Sequence, residues 1–241
     1  MVSRMRPEID FAGRAIQGHR DDQEDYLAFE QLGDRTVLAL ADGAGGQAAG
    51  EHASRNAVLG FMDYFAQSSD AVAATLFGAM HEGNRRVAAF MDGAPGERAT
   101  MATTLLAVVV EERTLHWISV GDSPLLLFRA GRLVRLNADH SLAGEQGANN
   151  LLRSALGGGR IAMIDWRRQG YELEEGDLIL AASDGLWTLS PPEIAAHLAV
   201  LTPETAAVIA HELLRLVSTK AKTNQDNVTV GVMKVSRQPS P

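Results

Sequence analysis

The sequence predicts an α+β fold: a layered domain with largely antiparallel sheets. Two observations carry this reading. Strand-like apolar runs succeed one another across short polar turns, and the helical stretches come in adjacent pairs instead of alternating singly with strands. The chain has 241 residues, 46% of them hydrophobic, which is enough apolar material for a proper core. No linker, low-complexity block or repeat period interrupts it, so residues 1–236 read as a single domain and 237–241 as a frayed tail.

In chain order, "TVLALA" (Thr36 to Ala41) is a buried strand. Glycines follow it, and then Gln47 to Gln67 and Asp70 to Met91 carry apolar residues at helical spacing, which predicts two helices. The period then shortens. "TTLLAVVV" and "TLHWISVGDS" form one hairpin around "EERT", and "PLLLFRAGRLVRL" forms another around "AG". "DLILAAS" (Asp177 to Ser183) is a further strand. "PPEIAAHLAV" and "PETAAVIAHELLRLVSTKA" are helices opening at prolines, whose fixed φ suits a first helical turn. "NVTVGVMKV" closes the pattern as a strand.

Composition narrows the function classes. A net charge of -8 repels polyanions, which argues against nucleic acid and anionic membrane surfaces as partners. The apolar runs fall well short of a membrane span, and "MVSRMRPEID" lacks the apolar centre of a signal peptide, so a cytoplasmic location is expected. With no cysteine, thiolate nucleophiles, thiolate zinc sites and iron–sulfur clusters are excluded. The G-x-x-x-x-G-K-[ST] and G-x-S-x-G patterns are also absent.

What remains is a set of aspartates at strand edges. "RDDQED" (Arg20 to Asp25) precedes a short apolar stretch, Asp42 ends one strand, Asp184 ends another, and Asp226 immediately precedes a third. Were those strands neighbours, Asp25, Asp42, Asp184 and Asp226 would converge at one rim, where bare glycine after Asp42 and Asp184 lets the backbone come close. Gathered carboxylates repel, so such a rim needs metal or raised pKa values to persist. An all-oxygen site selects Mg²⁺ or Mn²⁺ over zinc, and two such ions about 3.5–4 Å apart would suit phosphoester hydrolysis.

Taken singly, these strings are ordinary turns and caps; their order is not. "RDDQED", "ADGAGGQAAGEHAS", "ATTLLAVVV", "VGDSPLLLF", "DHSL", "LLRSALG", "GDLILAASDGLW" and "DNVTV" resemble, in sequence order, the landmarks of the metal-dependent type 2C protein serine/threonine phosphatases, bacterial type. The resemblance runs from about Gly18 to Val235. It implies a four-layer α-β-β-α sandwich, two antiparallel sheets flanked by helix pairs. It also implies hydrolysis of phosphoserine or phosphothreonine by direct attack of a metal-bridging hydroxide, with two Mn²⁺ or Mg²⁺ ions.

By that resemblance Asp42 bridges the two metals, the Gly43 carbonyl is a further ligand, and Asp184 and Asp226 hold the first metal. Asp25 and Glu24 act mainly through metal-bound waters, Asn227 supports the site as a neighbour, and Asp122 with Asp184 marks a third, weaker ion. Arg20 resembles the phosphate-binding arginine, whose forked guanidinium makes paired bonds to phosphate. "DHS" (Asp139 to Ser141) reads as a loop brace, not a triad, and Thr103, Thr104 and "SALGGG" read as packing and turns.

The departures from the family pattern are specific. Gln23 replaces an asparagine. Ala44 stands where relatives carry methionine or histidine, which leaves no side-chain general acid there. Pro124 replaces an arginine, and Thr188 replaces the aspartate that serves a third ion in eukaryotic relatives. Between "DHSL" and "LLRSALG" lie only the residues "AGEQGANN", shorter than the flap of bacterial relatives, which implies an open cleft and selectivity supplied by a partner or complex. The implied partners are a phosphoprotein substrate and a cognate Ser/Thr kinase, in signalling or secretion control. The rival reading is a catalytically weak or inactive regulatory module that binds a phosphoprotein.

Overall fold

The computed structural model describes residues 8–44, 48–92, 101–142, 151–220 and 222–236. The shortened flap at 143–150, the glycines after Ala44 and the tail at 237–241 lie outside the described residues. The elements in order are β1 (Glu8–Ile16), β2 (Asp25–Leu32), β3 (Arg35–Ala44), α1 (Ala48–Gln67), α2 (Val72–Asp92), β4 (Ala102–Thr103), β5 (Leu105–Glu111), β6 (Thr114–Val120), β7 (Leu125–Arg129) and β8 (Arg132–Arg135). They continue with β9 (Asp165–Trp166), β10 (Tyr171–Glu172), β11 (Leu178–Ala182), a 3₁₀ turn (Asp184–Thr188), α3 (Pro191–Leu201), α4 (Ala206–Thr219) and β12 (Val228–Ser236).

One sheet has the order β1-β12-β11-β7-β8; the other runs β10-β6-β5-β3-β2, with β4 against β3 and β9 against β6. The pairings that build both sheets are antiparallel. Period-two alternation sorts the strands' side chains into separate cores. Along β3, Val37, Ala39 and Ala41 pack under α1 and α2 against residues such as Phe61 and Met80. Leu38 and Leu40 point the other way and meet Leu127, Ile179 and Met233 between the sheets. Leu178, Leu180 and Val230 form the third core with Ile209 and Leu213 of α4 and Ile194 of α3. The result is the α-β-β-α sandwich expected.

The two sheets come close at a pair of glycines, Gly13 and Gly231, that are register partners in β1 and β12. A Cβ on Gly13 would sit 2.4 Å from Leu27 Cδ2, and one on Gly231 would sit 2.5 Å from Leu38 Cδ1. β1 itself escapes the sequence reading. Several boundaries also move: β3 runs on past Asp42 to Ala44, and Asp184 opens the 3₁₀ turn rather than ending β11. Asp226 lies two residues before β12, and α4 begins at Ala206 rather than at Pro203. The last shift has a capping cause. Thr205 accepts a hydrogen bond from the Val208 amide at 3.4 Å, and Asp10 Oδ2 accepts one from the Ala206 amide at 2.7 Å.

Candidate active site

The alternation that builds the inter-sheet core also builds the site. Asp42 continues the face of Leu38 and Leu40, and its register partner across β2 is Asp25, on the face of Leu27 and Phe29. Both carboxylates therefore stand at the rim where the sheets part. Ser183, after β11, and Thr229, in β12, reach the same rim from the opposite sheet. Ser183 Oγ donates to Asp25 Oδ2 at 2.7 Å and accepts from the Thr229 amide at 2.9 Å.

A cleft of about 240 Å³ opens above this rim. Arg20, Glu24, Asp42, Asp122, Asp184 and Asp226 line it, together with Gly43 and Asn227, while Asp25 lies beneath at 6% exposure. The structure thus brings together every residue singled out from the sequence. Two hydroxyls that read as mere packing belong with them. Thr104 Oγ1 accepts from the Asp42 amide at 2.9 Å, and Thr103 Oγ1 donates to the Asp42 carbonyl at 2.9 Å, so Asp42 is pinned on both sides of its backbone. The signal was the "TT" at the start of a strand, but only the β3–β4 pairing shows what it faces.

Asn227 ties the acidic loop down. Its side-chain carbonyl accepts from the Glu24 amide at 2.8 Å, and its side-chain nitrogen donates to the carbonyls of Gln17 and Asp22 at 2.8 and 3.0 Å. Gln23, at the position that departs from the family pattern, bonds the Asp25 amide and the Ile16 carbonyl. The "DHS" segment is a brace, as read: His140 Nδ1 accepts from the Gly121 amide, and Asp139 pairs with Arg135, which also donates to the Asp122 carbonyl at 2.8 Å.

The electrostatics are lopsided. Burial, opposed by the bond from Ser183 and reinforced by Asp184 and Asp226, pushes the Asp25 carboxyl up to about 7. Burial and then Asp122 push Asp184 up to about 6, and burial followed by the Asp25 charge holds Asp42 well above the carboxylate range. Asp122 and Glu24 are raised by burial as well. Arg20 is the one cation among the cleft-lining residues. It donates to Asp226 Oδ2 at 2.6 Å, while its side chain remains 54% exposed.

The donor set fits a hard divalent cation: the cleft's ligating atoms are carboxylate and carbonyl oxygens, with no sulfur and no imidazole on the lining. Asp25 Oδ1 and Glu24 Oε1 are buried acceptors without a hydrogen-bond partner. Among the described residues no three acidic or histidine side chains stand close enough to grip an ion without adjustment. Asp226 is paired with Arg20.

A sequence profile of the protein phosphatase 2C family matches residues 13–220. The chain belongs to the protein phosphatase 2C family. Among its relatives in this family, the serine/threonine protein phosphatase PstP of Mycobacterium tuberculosis is 32% identical over 215 residues, 83% of this chain and 40% of that protein. The chain therefore spans well under half the length of this curated relative. The solved catalytic domain of PstP in complex with two manganese ions superposes with a TM-score of 0.80 at 29% identity, over 95% of this chain and 99% of that one. The protein phosphatase 2C fold is seen again in the phosphatase MsPP from Mycobacterium smegmatis in complex with cacodylate, at a TM-score of 0.78 and 28% identity over 94% and 98% of the two chains.

Proposed function

We propose that the chain is a single metal-dependent phosphatase domain that releases phosphate from phosphoserine and phosphothreonine in proteins. The observation that carries this is the cleft itself: a ring of carboxylates, with Asp25 pushed up to about 7 and Asp184 to about 6, and one arginine, at the rim of a protein phosphatase 2C sandwich. The manganese-bound PstP domain supports Mn²⁺ as the ion, two per chain, with Mg²⁺ as the alternative and a weaker third ion beside Asp122.

Asp42 would serve both ions, with the Gly43 carbonyl as a further ligand; Asp184 and Asp226 would hold the first, and Asp25 and Glu24 would act through ordered water. When bound, the ions supply an activated water nucleophile and positive charge for the phosphoryl oxygens. The chain's own residues do the positioning. Thr103 and Thr104 fix the Asp42 backbone, and Asn227 fixes the loop that carries Arg20, Glu24 and Asp25. Arg20 has one Nη on Asp226 and the remaining donors of its fork for phosphate oxygens. With Ala44 at the rim, no side chain there protonates the leaving group.

A cytoplasmic signalling role opposite a Ser/Thr kinase follows from this reading, with protein and not nucleic acid or membrane as the partner. The test is phosphate release from a phosphothreonine peptide with and without Mn²⁺, alongside Asp184→Asn. Metal-dependent release that the variant loses is expected. No release at any metal level from folded protein would favour the regulatory binding module instead.

A further inference from the structure

Next to the cleft lies a roomier cavity, about 500 Å³, bounded by the end of β1 and the last turn of α4. We infer that it is a substrate subsite: it takes a large apolar side chain from the polypeptide flanking the phosphoresidue, with an acidic neighbour set against Lys222. This rests on the phosphatase reading above.

The wall between cavity and cleft is thin and rigid. The His19 amide donates to the Gln225 carbonyl at 2.8 Å, and the Gln225 amide donates to His19 Nδ1 at 3.3 Å. Gly18, at φ +66°, lies so close behind that a Cβ there would sit 2.3 Å from the Asp226 carbonyl oxygen. His19 and Gln225 line the cavity, while the next residue on each segment of the wall, Arg20 and Asp226, lines the cleft. Consecutive Cα atoms are about 3.8 Å apart, so a chain held by its phosphate at Arg20 reaches over the cavity within a residue or two.

The lining says what suits it. Ile16 supplies apolar surface, with Val217 behind it at 1% exposure, and no carboxylate lies among the described lining residues. Lys222 is exposed, makes no ion pair among the described residues, and stands near enough to Asp184 to lower the pKa of that carboxyl against its other neighbours. In a chain of net charge -8, an acid-free concavity with a lysine at its edge favours an acidic residue beside the apolar one. A partly apolar cavity with few polar groups next to a reacting centre is a common form of specificity pocket.

Two variants test this without touching the carboxylate ring. Ser218 is exposed and lines the cavity, so Ser218→Trp fills it from the surface; Lys222→Glu reverses the rim charge. Melting temperatures near wild type confirm that both fold. With saturating Mn²⁺, kcat/KM for a phosphothreonine peptide bearing leucine and glutamate flanks should fall about tenfold in both variants, mostly in KM; p-nitrophenyl phosphate hydrolysis stays unchanged in Ser218→Trp and falls less than peptide hydrolysis in Lys222→Glu, whose charge also reaches Asp184. Equal losses on both substrates, or no loss on the peptide, would overturn the inference. Binding of the same peptide, followed by fluorescence anisotropy, needs no turnover: weaker binding in both variants supports the subsite, and equal or absent binding overturns it. A wild type that binds the peptide through this cavity yet hydrolyses neither substrate would sink the phosphatase reading alone.

Discussion

Each end of β11 meets a buried carboxylate, and the two are treated in opposite ways. Before its first residue, Asp177 is 1% exposed and receives both arms of the Arg129 guanidinium at 2.7 and 2.6 Å, plus the Glu174 amide at 2.7 Å. Beyond its last residue, Ser183 hands a single hydroxyl to Asp25, which is 6% exposed, has one oxygen unpartnered, and sits beneath Asp42 and Asp184 without a cation of its own. A buried charge normally persists only when paired. The Asp177 end obeys that rule with its own residues and is a brace. The Asp25 end breaks it with several carboxylates at once, which makes sense if the compensating charge comes from outside the chain.

The largest effect should separate the two ends by activity. Asp42→Asn is expected to cut phosphopeptide hydrolysis by about a hundredfold or more, since it removes charge where the ions and phosphate are proposed to meet. The chelator-treated variant should melt no lower than chelator-treated wild type. A variant that keeps its activity would erase the distinction.

Next comes stability. Asp177→Asn leaves the partly buried Arg129 with half its partner and should cost roughly 3 kcal/mol in denaturant unfolding, while kcat/KM changes little. An unchanged midpoint would mean that the Arg129 pairing braces nothing.

The smallest effect is a slope. With Asp25 at about 7 and Asp184 at about 6, against an ordinary 3.8, the folded chelator-treated protein holds protons that the unfolded chain has released. Stability from these groups is therefore fully present below about pH 4 and is lost as pH rises to about 7, by up to about 1.4 kcal/mol per pH unit for each proton involved. Melting temperature should fall between pH 5 and pH 7.5, and saturating Mn²⁺ should flatten or reverse that fall, because metal binds the deprotonated carboxylates. Equal slopes with and without Mn²⁺ would show that the carboxylates do not meet the metal.

Much of this contrast was legible in the sequence, and the exceptions have physical causes. The strands of the two hairpins declared themselves because a single residue pattern fixes each; "AG" even supplies the two positive φ values, at Ala130 and Gly131, that a two-residue turn needs. β1 did not, because "EIDFAGRAI" mixes charge with glycine, and its identity as a strand comes from β12, more than two hundred residues away. The ordered aspartates located the cleft, yet "RDDQED" gives no sign of which carboxylate is buried; the Asp25–Asp42 register decides that. Thr103 and Thr104 looked apolar in company because the backbone they hold belongs to another strand. The cavity behind His19 left no trace in the sequence, since its walls come from opposite ends of the chain.

The most direct test of the uncompensated cluster is a count of bound ions. Equilibrium dialysis against Mn²⁺, with the bound metal quantified per chain, should give two tight ions for wild type and fewer for Asp42→Asn. Wild-type protein that is folded yet retains no manganese would contradict the account, because the buried carboxylates would then have to be reconciled without any external cation.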